Sequence, residues 1–197
     1  MKIIEPSAEL YDEINPEEIL RKLEVCGKVS RQSKLGDAEK FVRSIIKRGH
    51  ESVLEHVSLT FKIICDRAIM AELTRHRLAS FTVESTRYVN YKDGLTVISP
   101  FKNDTVGDSF FRQAAHDAEK TYRDWIQSGA TPEQARAVLP QCTATTLYMT
   151  ANLREWRHVL KLRTDKAAHP QMRQVAGQIL EILRDKLPVI VEDINPC

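Results

Sequence analysis

Over residues 56–65 the chain alternates without a break: Val57, Leu59, Phe61 and Ile63 on one side, Ser58, Thr60 and Lys62 on the other. Successive side chains of a strand point to opposite faces, so this stretch reads as a half-buried strand. Such a strand needs neighbours to pair with and a layer to cover its dry face. The flanking sequence supplies that layer as helices. Asn15-Pro16-Glu17-Glu18 combines a capping Asn, a proline suited to the first turn and a Glu three residues after the cap, opening a helix to about residue 25. A second helix from about Asp37 buries Phe41, Ile45 and Ile46 and stops around Gly49. Residues 67–75 form a third, through Ile69, Met70 and Leu73.

Residues 78–105 read as irregular, with a strand at 95–99, a turn at Lys92-Asp93-Gly94 and a break at Pro100. A long amphipathic helix follows over 108–127. Thr131-Pro132-Glu133-Gln134 is a second capping box, opening a short helix that stops before Pro140. The β-branched stretch 143–150 reads as another strand. Residues 152–162 and 171–187 are helical by period, and the last few residues are polar and loose. Strands and helices do not alternate regularly, which gives an α+β fold: long helices packed on a small mixed or antiparallel sheet. No Gly-rich loop follows a strand, so neither a Rossmann nor a P-loop site is expected.

The 197 residues suit a single domain spanning 1–197. Net charge is +2, from 29 basic and 27 acidic residues, which argues against a general nucleic-acid or membrane-surface binder. No apolar run approaches the length of a membrane span, and the N-terminal residues lack a signal sequence. Cys26, Cys65, Cys142 and Cys197 form no CxxC pair and read as free thiols in a reducing cytosol.

Positive charge is instead local. Arg75-His76-Arg77 is followed, after seven residues, by Ser85, with Arg87 two positions on. Adjacent cations are stable in water or against an anion, and guanidinium groups with nearby hydroxyls make a phosphate cradle. The bland alternative, cations decorating a helix C-terminus, explains the triplet but not the added Ser80, Ser85 and Arg87. In Gly49-His50-Glu51-Ser52-Val53-Leu54-Glu55-His56 the two histidines are six apart, which fails the zincin geometry, so no metal is expected and a cofactor-contacting loop is preferred. Cys142 has no His near it in sequence and reads as a small core residue rather than a nucleophile. In Asn152–Arg163, helical spacing puts Arg154, His158 and Leu162 on one stripe, with Asn152 and Glu155 beside it. Arg136 and Arg163 each close a helix, another place to reach an anion.

Taken together, these stretches closely resemble the flavin-dependent thymidylate synthases. The likeness covers residues 49–173 in order: Gly49-His50-Glu51-Ser52, the Arg75-His76-Arg77 to Ser85 spacing, the Arg136–Pro140 segment, and the helix from Asn152 to Arg163. The resemblance implies reductive methylation of dUMP to dTMP, with methylenetetrahydrofolate as one-carbon donor and NADPH-reduced FAD as hydride source. It also implies a cytoplasmic homotetramer with active sites shared between subunits. It places Ser52, Arg75, His76, Arg77, Asn152, Arg154 and His158 on the flavin, and His50 on its folate side. Glu72, Arg75, Glu84, Ser85, Thr86, Arg87, Arg136 and Arg163 meet dUMP, and Val83 borders both ligands. With no thiol attacking the base, Arg163 polarises the uracil as the catalytic residue. Val83 and Glu72 depart from the side chains common in the family and leave open a paralogue acting on another pyrimidine nucleotide. The non-enzymatic alternative is a helical nucleic-acid-binding domain, which the near-neutral charge disfavours.

Overall fold

A computed structural model describes residues 1–101 and 106–196. In chain order the elements are β1 (Lys2–Ile4), β2 (Ser7–Leu10), α1 (Pro16–Lys28), α2 (Ala38–Lys47), β3 (Ser58–Asp66), α3 (Arg67–Leu73), β4 (Ala79–Val83), β5 (Thr96–Ile98), α4 (Val106–Gln127), α5 (Pro132–Ala135), β6 (Ala144–Asn152), α6 (Leu153–Arg163), α7 (Pro170–Lys186) and α8 (Pro188–Val191). One sheet has the strand order β2-β3-β6-β4, and β1 pairs with β5. This is the expected α+β fold, long helices with a small sheet. The helix starts follow their caps. The Asn15 side chain accepts from the Glu17 and Glu18 amides, Asp37 caps α2, and the Thr131/Gln134 box closes in both directions.

Two compact units divide the chain. The first comprises Met1–Ser7, Ile64–Arg75 and Thr82–Leu147, and the second comprises Ala8–Ile63, His76–Phe81 and Tyr148–Cys197. In the first, β1 and β5 run parallel with Ile3 opposite Val97. Leu95, Val97 and Ala115 form a core against which Ile3, Tyr91, Phe111, Leu139 and Cys142 pack. Glu119 of α4 is buried there yet satisfied. Its carboxylate accepts from the Leu95 amide at 2.7 Å and pairs with the N-terminal ammonium of Met1 at 3.0 Å.

The second unit is built on the dry face that the alternation announced. Leu59, Phe61 and Ile63 of β3 are buried, while Thr60 and Lys62 are partly open. Trp156 of α6 covers them. Its indole Nε1–H donates to Leu59 O at 3.0 Å, and its ring meets Phe61 edge-on at 4.9 Å. Met172, Val175, Ile179, Leu180 and Leu183 give α7 a fully buried stripe.

Two expectations fail. Residues 79–83 are a strand, not irregular. Ala79, Phe81 and Val83 are half-buried while Ser80 and Thr82 are exposed, a short period-2 pattern masked by the flanking cations. The loop expected to gather Ser80, Ser85 and Arg87 is therefore interrupted by β4. The chain end is not loose either. Val189, Ile190 and Val191 of α8 and Ile194 are buried, because apolar residues within a polar tail find a partner surface only after folding. Cys26, Cys65 and Cys142 are free thiols, and Cys197 lies outside the described residues. Among the described residues no helix is long and apolar enough to cross a membrane.

Candidate active site

In the first unit, Asp66 ends β3 and caps α3, its carboxylate accepting from the Ile69 amide at 2.7 Å. That places Arg67 at the first turn, with its own amide bonded to Gln141 O and Thr143 O. A cavity of about 280 Å³ opens here, lined by Arg67, Thr86, Arg136, Leu139, Pro140 and Gln141 among others, with no carboxylate among the described residues of its lining. The Thr131 capping box and the 3-10 turn Arg136–Val138 set the position of Arg136. Arg67 Nη1 is buried and has no hydrogen-bond partner. A buried cationic N–H without an acceptor is costly, and an anion in this cavity would relieve that cost.

Around this cavity the expected residues take different partners. Arg87 Nε lies 2.7 Å from Glu133 Oε1, both about half exposed. Such a pair contributes at most about 1 kcal/mol, so a phosphate dianion can compete for the guanidinium. Ser85 Oγ accepts from the Arg87 amide at 3.3 Å. Glu84 accepts from the Tyr91 hydroxyl at 2.6 Å; burial, together with that carboxylate, pushes the Tyr91 phenol well above its ordinary range. Glu72 is half-buried in the last turn of α3, and Arg75, just beyond it, is exposed.

In the second unit, α2 ends in a Schellman turn. The Gly49 amide donates to Ile46 O and the His50 amide to Ile45 O, both at 2.9 Å. Gly49 has φ +71, a left-handed conformation that favours glycine. The turn delivers His50 and Ser52 to a groove of about 400 Å³ whose lining includes Lys28, Arg31 and Arg48 and, among the described residues, no carboxylate. Glu51, between His50 and Ser52, is held instead by Arg157 of α6, with Arg157 Nη2 at 2.9 Å. Arg157 is fully buried; it also donates to Asp193 at 2.6 and 2.8 Å and to Ile190 O.

The same unit holds the second half of the expected constellation. Asn152 caps α6, its Oδ1 accepting from the Glu155 amide at 2.9 Å. Arg154 pairs with Glu55 at 2.5 Å, and His158 is exposed one turn on. His76, 5% exposed, packs edge-on to His158 with ring centroids 5.9 Å apart. Arg163 Nε donates to His76 Nε2 at 3.0 Å, and Glu155 Oε1 lies 3.5 Å from His76 Nδ1. Burial, then the Arg163 charge, then His158 push the His76 pKa down to about 4, so the imidazole is neutral near pH 7. His76, Glu155 and His158 bring ligand-type atoms within 4.8 Å of one another. The Arg163 guanidinium occupies one His76 nitrogen and would repel a cation by ~4 kcal/mol per unit charge at contact distance, so these groups read as a polar cluster around His76 rather than a metal site.

A buried neutral His against an Arg in the second unit, and a basic cavity in the first, fit the resemblance read from the sequence, and comparison with known proteins decides the family. The family model described as "Thymidylate synthase complementing protein" matches residues 9–189. This chain belongs to the flavin-dependent thymidylate synthase family. It is 34% identical over 166 residues to the flavin-dependent thymidylate synthase of Pyrococcus furiosus, covering 81% of this chain and 66% of that protein. It is 35% identical over 170 residues to the probable flavin-dependent thymidylate synthase of Mycobacterium phage L5, covering 79% and 70%. The chain thus spans about two thirds of the length of these curated relatives. Among solved structures, a UMP/dUMP methylase, PolB from Streptomyces cacaoi bound with 5-bromo-UMP, superposes with TM-score 0.79 at 27% identity, covering 97% of this chain and 94% of that one.

Against the family pattern, the structure brings together Thr86 and Arg136 in the first unit. In the second it brings together His50 with Ser52, and His76 with His158 and Arg163. Arg77 stands exposed after His76, and Val83 ends β4 half-buried. Sequence patterning assigned no functional role to Arg67, Gln141 or Arg157, and set Glu155 beside the polar stripe of Arg154 and His158 without a partner. Arg67 had a signal: it directly follows a helix-capping Asp at the end of a buried strand. Arg157 had none, because a cation on a helix resembles any solvated charge until the fold encloses it.

Neither Cys65 nor Cys142 offers an activated thiol. Cys142 packs on the core of the first unit, and burial pushes its thiol up. Cys65 is fully buried and pushed up to about 12. Both shifts favour the thiol over the nucleophilic thiolate. Cys142→Ala is expected to retain dTMP formation within about twofold, since the swap removes only a small core group. A folded variant that forms no dTMP would return the thiol to the mechanism.

Proposed function

We propose that this protein methylates dUMP reductively to dTMP, taking the one-carbon unit from methylenetetrahydrofolate and reducing power from NADPH through FAD. The carrying observation is the cavity of the first unit: Arg67 with an unsatisfied buried Nη1, beside Thr86, Arg136 and Gln141, with no carboxylate among the described lining residues. Its donor set suits the phosphate of a nucleoside monophosphate, with the Arg87–Glu133 pair able to open toward the same anion.

The groove of the second unit fits the flavin. Lys28, Arg31 and Arg48 supply positive charge for a diphosphate, and His50 and Ser52 supply hydrogen-bonding groups, with no acid among the described lining residues to repel it. Arg77, Asn152, Arg154 and His158 complete that set by resemblance. Bound there, FAD supplies the hydride that completes the methyl group. The chain's own part is electrostatic. Uracil C5 is a weak nucleophile until N3 carries negative charge, and the fixed guanidinium of Arg163 stabilises that charge where it develops. Neutral His76 accepts from Arg163 without adding a competing cation. Glu72, Arg75, Val83, Glu84 and Ser85 border the nucleotide. We assign the working assembly as a cytoplasmic homotetramer of single 1–197 domains with shared active sites. UMP is the second substrate to consider, because the structurally similar PolB is a UMP/dUMP methylase.

The test is direct. Purified protein is expected to be yellow, or to take up added FAD, and to form dTMP from dUMP, methylenetetrahydrofolate and NADPH. Protein that neither binds FAD nor turns over dUMP would overturn the reading. Side-by-side turnover of dUMP, UMP and dCMP separates the substrates, and activity on UMP or dCMP alone would replace dUMP.

A further inference from the structure

Arginine has only N–H donors, so the His76 nitrogen it approaches must present a lone pair. That nitrogen is Nε2, at 3.0 Å from Arg163 Nε. A neutral imidazole has one proton, which therefore sits on Nδ1. In water the imidazole proton exchanges between the two nitrogens, and the tautomer is set by the partner each one meets. The partner at Nδ1 is Glu155 Oε1, 3.5 Å away, on a side chain only 7% exposed. Glu155 sits three residues after the cap of α6, where a Glu ordinarily turns back to the cap amide. Here Oε1 faces His76 instead. The charged and titratable groups found against His76 are Glu155, His158 and Arg163, all on α6.

We propose that Glu155 is a positioning residue that keeps His76 in the Nδ1–H form, so that His76 Nε2 holds the Arg163 guanidinium in a fixed plane. A buried carboxylate is costly unless it meets a polar partner, and its placement beside Nδ1 gives it one. The functional half of this inference rests on the reading of Arg163 as the residue that meets the pyrimidine; the tautomer half stands on geometry.

The experiment uses the whole protein, selectively ¹⁵N-labelled at histidine, with His76→Gln to assign the His76 signals. Wild type is expected to show the Nδ1–H tautomer. Glu155→Gln, which keeps a neutral acceptor, is expected to keep that tautomer and most of the turnover. Glu155→Leu is expected to shift His76 toward Nε2–H and to lower kcat by about tenfold to a hundredfold, as a misaligned group does, with dUMP KM and flavin content within about twofold. If Glu155→Leu does not fold, Glu155→Asp serves: it keeps the charge but withdraws the oxygen by one methylene and is expected to shift the tautomer partway. An unchanged Nδ1–H form in the Leu or Asp variant would overturn the proposal. So would a shifted tautomer with full turnover. A wild-type protein inactive on every pyrimidine nucleotide but still Nδ1–H would instead count against the proposed function.

Discussion

Arg163→Ala is expected to lower dUMP turnover by a factor of roughly 10² to 10³, the usual cost of losing a preorganised donor at a developing anion. Flavin content is expected to stay near wild type. The two effects separate because the residues lie in different places. Arg163 ends α6 with Nε tied to His76, whereas the groove assigned to the flavin is lined by His50, Ser52, Arg31 and Arg48. Uracil C5 is a weak nucleophile, and with Cys142 and Cys65 both held as thiols, the proposed function gives Arg163 the part of stabilising charge on the base. Measuring kcat and the visible flavin spectrum on the same preparation checks this. A parallel loss of both would make Arg163 a cofactor or structural residue.

Arg157→Leu is expected to cost about 3 kcal/mol of stability, because it removes the buried member of an ionic cluster and leaves Glu51 and Asp193, among the described residues, with only the partly exposed Lys161, at 4.0 and 3.6 Å, as a cation. Arg157 donates to Glu51, Asp193 and Ile190 O, so its loss also unties the Glu51–His56 turn from the C-terminal segment. Glu51 and Asp193 keep some access to water, which places the cost at the lower end of the range for such deletions. The Arg157 guanidinium holds the Asp193 carboxyl below its ordinary 3.8. A depressed carboxylate contributes stability above its unfolded pKa and loses it as pH falls through the folded value. The variant should therefore also lose part of the wild type's sensitivity to acid below about pH 4. Urea unfolding at one protomer concentration, at neutral and acid pH, reads both effects. A change under about 1 kcal/mol at neutral pH would mean that the cluster is close to energetically neutral.

Much of the scaffold was legible because its signals are local. Asn15, Asp37 and Thr131 cap the helices that the sequence started at them, and Gly49 ends α2 with the left-handed turn that its lack of a Cβ permits. Strand β4 escaped because five residues of alternation between cations carry too little pattern. Helix α8 escaped because its apolar run is four residues long. The resemblance named Arg136 and Thr86, but not Arg67, which shares their cavity from a segment nineteen positions before Thr86.

By itself, then, the order of residues determined the helix caps, the half-buried strand at Ser58–Asp66, the α+β class and membership in a family whose motif is written in Arg75-His76-Arg77 and Ser85. Only the tertiary structure decided which of those cations are solvated and which are enclosed. Arg77 is exposed, His76 is buried and neutral between Glu155 and Arg163, and Arg157 is sealed inside an ion cluster. The reason is physical: a side chain's charge state and hydrogen-bonding role depend on its solvation and on partners that are distant in sequence, and folding sets both.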